Sequence, residues 1–120
     1  MEFKMKKLLL ITLCLVGANA WAECELQYKQ ASDIAVCYEK ESFSKVIANY
    51  NKLLKITKTD TYSKYGLKPL VQSQSDWLKF RDSYCESYSI YHGEINNHAN
   101  CIIDMNNKRA EQLQNDIDAS

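Results

Sequence analysis

Four cysteines standing behind a leader-like segment constrain this chain more than anything else in it. Met1–Lys7 carries Lys4, Lys6 and Lys7, and Leu8 to Gly17 is an almost unbroken apolar run. Small-x-small sites follow at Ala18-Asn19-Ala20 and Ala20-Trp21-Ala22. A charged start, a short greasy stretch and small residues, in that order, make a secretory signal peptide, with the cut expected after Ala22. The run is well short of the roughly 20 residues a membrane-spanning helix needs. A lipid anchor on Cys14 is disfavoured by the bulky Leu13 before it. The expected organisation is a signal peptide over 1–22 and one helical domain over 23–120, periplasmic or secreted, with no membrane span in the mature chain.

Cleavage removes Cys14 and leaves Cys24, Cys37, Cys85 and Cys101 in an oxidising compartment, where disulfides are their expected use. A zinc site is disfavoured because there is no CxxC pair, and neither His92 nor His98 is spaced like a finger ligand. Thiol redox catalysis would also want a close CxxC pair. Three pairings are open. Gly93 lies midway between Cys85 and Cys101, so a helical hairpin turning there would set these two opposite each other and leave Cys24 for Cys37. Each bridge would close a loop of about 15 residues and contribute roughly 3 kcal/mol through the unfolded state. Cys37–Cys85 with Cys24–Cys101 is the competing scheme, since Thr61, midway in its first loop, also falls in an expected loop.

With three glycines and one proline in 120 residues, and few alternating β-branched runs, the chain reads as helical. The first helix should start at Ser32 or Asp33, both good N-caps. Ile34, Cys37 and Tyr38, then Phe43, Val46, Ile47, Tyr50, Leu53 and Leu54, form its apolar stripe, with a phase slip near Lys40–Ser42 that predicts a bend or short break. Thr57–Gly66 is polar and reads as a loop. A second helix should begin around Leu67–Pro69, because proline is tolerated in a first turn. Its face is Leu67, Leu70, Val71, Gln74, Trp77, Leu78, Arg81, Cys85 and Tyr88, ending near Ile90. A third helix is predicted from Asn97 to Ile117, with Ala99, Ile102, Ile103, Ala110, Leu113 and Ile117 inward and Asn106 interrupting them. The expected fold is all-α, a small antiparallel three-helix bundle stapled by two disulfides.

Removing the leader takes three of fifteen basic and one of fifteen acidic residues, leaving a slight acidic excess. A nucleic-acid binder would show a basic face instead. No glycine-rich phosphate loop, GxSxG elbow or HExxH helix is present, and scattered carboxylates do not define a glycosidase pair. No cofactor is expected, and the chain reads as a binding protein rather than an enzyme.

Trp77 and Arg81, four residues apart, share a helix face. They read either as a recognition patch or as a structural stack, with Arg81 crossing to a carboxylate; Asp82 and Arg109 read as a second interhelical ion pair. The structural reading is preferred because these positions flank the core stripe. Among the eight tyrosines, Tyr62, Tyr65 and Tyr91 fall in or beside turns, with His92 and Glu94 flanking Gly93. Loop aromatics provide contact area at low entropic cost, so these five residues are the candidate partner surface.

The run Gln74-x-x-Trp77-x-x-Phe80-Arg81-Asp82-x-x-Cys85, followed by Cys101 and Arg109-x-x-x-Leu113, resembles the LprI-type lysozyme inhibitor family of small exported bacterial proteins. The resemblance covers Cys24 to about Leu113. Where that family often carries a threonine between the last cysteine and the arginine, this chain has Asn106, and where it usually has Leu-Asn ahead of a tyrosine, this chain has Val46-Ile47 before Tyr50. The resemblance implies a helical, disulfide-bonded exported domain whose best-known member activity is inhibition of lysozyme. From the loop tyrosines and the expected disulfide rigidity, the expected mode is occlusion of the muramidase cleft by a rigid loop, Tyr91–Glu94 or Thr59–Gly66. An immunity or accessory protein bound to a periplasmic toxin or envelope component is the alternative.

Overall fold

The structure is a computed structural model that describes residues 23–93 and 97–120. The leader, its cleavage site, Cys14 and Glu94 lie outside the described residues. Every regular element among the described residues is helical: α1 at residues 23–27, α2 at Ala31–Thr59, a 3-10 turn at Ser63–Gly66, α3 at Leu67–His92 and α4 at Asn97–Asp118. The expected three helices therefore become four, because residues 23–27 also wind into a turn of helix. Nothing in Glu23-Cys24-Glu25-Leu26-Gln27 opposes it, as neither proline nor glycine intervenes. No described helix is long and apolar enough to cross a membrane.

Two compact units are distinguished, one ending at Ile34 and the other Ala35–Ser120. In the described part of the first, the Tyr28 N–H closes α1 on the Cys24 carbonyl, and the N–H groups of Asp33 and Ile34 both donate to the Gln30 carbonyl. Asp33 in the first turn of α2 complements the helix dipole.

The second unit holds the core. Val46 and Leu53 of α2 meet Ala110, Leu113 and Ile117 of α4, with Phe43, Tyr50, Ile56, Leu70 and Trp77 packed around them. Cys85, Cys101 and Ile102 form a smaller cluster with Tyr88 and Met105. The partners of α3 and α4 run in opposite senses, since Gln74 bonds Arg109, Arg81 bonds Asn106, and Cys85 is joined to Cys101. Those of α2 and α4 run in the same sense: Ser42 meets Asn106, and Asn49 Nδ2 donates to the Ala110 carbonyl at 2.9 Å.

α2 is continuous, and the break expected near Lys40–Ser42 is absent. Ser42 occupies a buried position on the same face as Val46, Leu53 and Thr57. Its hydroxyl donates to the Glu39 carbonyl at 3.0 Å and accepts from Asn106 Nδ2 at 3.0 Å. The phase slip was a polar residue in an unbroken stripe. Thr57 behaves likewise, donating to the Leu53 carbonyl at 2.8 Å. Helix therefore continues to Thr59, three residues into the expected loop, and the rest of Thr57–Gly66 shortens to a 3-10 turn at Ser63–Gly66. The Asp60 carboxylate accepts the Tyr62 N–H at 3.3 Å and the Ser63 hydroxyl.

α3 begins at Leu67, placing Pro69 in the first turn as expected. It ends at Gly93, whose φ of 68° is left-handed, with its N–H on the Ser89 carbonyl. Only glycine takes that conformation at little cost, which is why the chain turns there. The hairpin so formed sets Cys85 and Cys101 with Cα atoms 5.5 Å apart, joined as a disulfide. Cys24 and Cys37 are also both disulfide-bonded, so neither offers a thiolate to a metal.

Candidate functional site

Gln74, Trp77, Arg81, Asp82 and Arg109 of the pattern form one connected stack with Asn106. Asn106 is fully buried at its centre. Its Oδ1 accepts from Arg81 Nη1 at 2.9 Å, and its Nδ2 donates to Ser42 Oγ and, at 3.4 Å, to the Glu39 carbonyl. Far from interrupting the α4 stripe, Asn106 supplies its polar core, tying α2, α3 and α4 together. Arg81 also reaches Asp82 through Nε at 2.9 Å and Nη2 at 2.7 Å. Its guanidinium lies 5.1 Å from the Phe43 ring centre and 5.4 Å from that of Trp77. Arg81 thus crosses the core to an amide, not to the carboxylate expected, and its acid partner is the neighbouring residue.

The expected Asp82–Arg109 pair is not formed. Asp82 is engaged by Arg81, while Arg109 donates through Nε and Nη2 to Gln74 Oε1 at 3.0 and 2.9 Å, and through Nη1 to Gln112 Oε1 at 2.6 Å. The reason is geometric: Arg109 lies a turn beyond Asn106 on α4, opposite Gln74 and away from Asp82. Its guanidinium also sits 5.7 Å from the Trp77 ring centre. Burial pulls its pKa down, only partly offset by the more distant charges of Asp116 and Tyr50. Gln74 is buried, and its Nε2 has no hydrogen-bond partner among the described residues. Beside this network a cleft of about 290 Å³ is lined by Trp77, Met105, Lys108, Arg109 and Gln112.

A second groove of about 500 Å³ adjoins it, sharing Met105 and Lys108. Phe80, Tyr84 and Tyr88 form its α3 wall; Asn100, Asp104 and Lys108 lie on α4. Adjacent rings contact one another, Phe80–Tyr84 at 5.6 Å and Tyr84–Tyr88 at 6.2 Å between centroids. Lys108 Nζ is 2.8 Å from Asp104 Oδ2, and that hydrogen bond raises the lysine pKa. Sequence reasoning named Trp77 and Arg109 but missed Gln112, Lys108 and this ladder. The i, i+4 spacing of Phe80, Tyr84 and Tyr88 was the available signal.

The candidate turn residues fall at opposite ends of α3. Tyr62 and Tyr65 are 85% and 79% exposed at the 3-10 turn, where the Lys64 ammonium lies 5.4 Å from the Tyr65 ring centre. Tyr91 and His92 end α3, and both pack against Tyr88, with centroids 5.7 and 4.2 Å away. Burial raises the Tyr91 pKa, as do the Tyr84 and Tyr88 phenols. These positions do not converge into one site, and nothing in their arrangement sets a nucleophile beside a base.

The family model described as "Lysozyme inhibitor LprI" matches residues 22–113. No curated protein and no solved structure matches the chain. The matched span holds Cys24, Cys37, Cys85 and Cys101 and the whole Gln74–Arg109 stack, and the chain belongs to the LprI lysozyme inhibitor family.

Proposed function

We propose that this protein is an exported lysozyme inhibitor, cut after Ala22, that occludes the muramidase cleft with the turn between α2 and α3. Family membership supports the target. The observation that carries the choice of turn is the exposure of Tyr62 and Tyr65 on a short segment between two long helices, held by the Asp60 carboxylate. A turn already tied to Asp60 loses less freedom on docking, so less of the contact energy is spent on ordering it. At the other end of α3, Tyr91 and His92 are partly used up in contacts with Tyr88. In this reading Cys24–Cys37 is the second bridge, and the protein does no chemistry of its own.

A turbidity assay on bacterial cells with purified protein and c-, g- and i-type lysozymes tests this. Slowed lysis by at least one type is expected. Undiminished lysis by all three at micromolar protein overturns the reading.

A further inference from the structure

Two guanidinium groups lie near the same indole, and they are treated differently. Arg81 is balanced by the Asp82 carboxylate. Arg109 is partly desolvated, yet its hydrogen-bond acceptors are two neutral amide oxygens, those of Gln74 and Gln112. A cation drawn from water gains most from a carboxylate in fork geometry. The local network is also short of acceptors, since Gln74 Oε1 takes two N–H groups from Arg109 while Gln74 Nε2 has none to donate to. Arg109 opens onto the 290 Å³ cleft, with Trp77 at one side and Lys108 at its rim. Gln112, which holds Nη1, is exposed and free to swing away.

We infer that this cleft is a receptor for a carboxylate side chain, Asp or Glu, on the surface of the protein partner. The incoming carboxylate displaces the Gln112 amide from Arg109 Nη1 and lies against the Trp77 ring edge, while Lys108 at the rim stays paired with Asp104. Trp and Arg are the residue types that most often dominate interface energies. The cleft is also well placed. Trp77, the cleft's residue on α3, is eleven residues into the helix that starts after Gly66, about 16 Å along its axis. The cleft therefore lies nearer to the Tyr62–Tyr65 turn than to Tyr91 and His92 at the far end. The identity of the partner as a lysozyme rests on the function proposed above; the carboxylate chemistry does not.

The test uses the purified mature protein, cut after Ala22, in which Trp77 is the only tryptophan. Its fluorescence is titrated with N-acetylglutamate and, separately, with N-acetylglutamine. A saturable change with the acid and none with the amide is expected. Gln112→Glu, which places a carboxylate of the chain's own beside Arg109, should weaken that response at least tenfold with no fall in Tm, and weaken lysozyme inhibition to a similar degree. An equal response to acid and amide, or no response to either, overturns the cleft. So does a Gln112→Glu protein that inhibits lysozyme as well as the parent. A selective acid response from a protein that stops no lysozyme supports the cleft and overturns only the lysozyme reading.

Discussion

Arg81 Nη1 donates to Asn106 Oδ1 at 2.9 Å, joining α3 to α4 through a side chain with no exposed surface. Asn106 passes the connection to α2 through Ser42 and the Glu39 carbonyl. Asn106→Ala removes the acceptor of a mostly buried guanidinium and the donor to Ser42. The loss should be about 3 kcal/mol, because the groups left behind are buried and unpaired. For a domain of this size that is a fall in Tm of roughly 15 °C, measurable by circular dichroism.

The Cys85–Cys101 bridge closes a short loop with sequence separation 16. Replacing both cysteines by serine should cost about 3 kcal/mol, through the freedom regained by the unfolded chain. Urea unfolding checks this. Far-ultraviolet circular dichroism should remain helical, since the α3–α4 contacts made by Gln74, Arg81, Asn106 and Arg109 do not depend on the sulfurs.

Gly93 sits at φ 68° with open space where a Cβ would be. The cost of Gly93→Ala is therefore backbone strain alone, about 1 kcal/mol. Gly93→Asn should cost less, because asparagine tolerates the left-handed region. Chemical denaturation of the two variants ranks them, and equal losses would mean that a clash, not φ, sets the penalty.

Asp60 has its pKa held down first by the Ser63 hydroxyl and then by the Tyr62 N–H. A carboxyl whose folded pKa lies below its unfolded value contributes stability above the unfolded pKa and loses it as pH falls through the folded one. The turn should therefore loosen in acid, below about pH 4. Ring signals of Tyr62 and Tyr65, followed by NMR from pH 6 to pH 2, should show it. Asp60→Asn should retain much less of that dependence at these two rings.

Tyr62→Ala with Tyr65→Ala removes two side chains that bury little, so stability should change by no more than about 0.5 kcal/mol. Lysozyme inhibition should weaken at least tenfold. Tyr91→Ala should leave inhibition near that of the parent, because it lies at the far end of α3. The turbidity assay separates the two outcomes.

The helices were legible because their apolar residues recur at helical spacing and because Pro69 and Gly93 mark a start and a stop. Their boundaries and interiors were less so wherever a buried position is polar. Ser42, Thr57 and Asn106 sit in the core faces, and hydropathy alone reads them as a break, a loop and an interruption. The Trp77, Arg81 and Arg109 cluster was visible as a pattern, but its wiring was not. Whether Arg109 faces Asp82 or Gln74 depends on the register between α3 and α4.

The sequence by itself determined the all-helical class, the hairpin at Gly93 and the family, since these follow from local spacing, backbone freedom and residue pattern. Tertiary structure alone decided that Asn106 is a hub and that Arg109 is bonded to Gln74, beside a cleft, with no carboxylate bonded to it. Partners across an interface are set by helix register and burial, and neither can be read along a single strand of sequence.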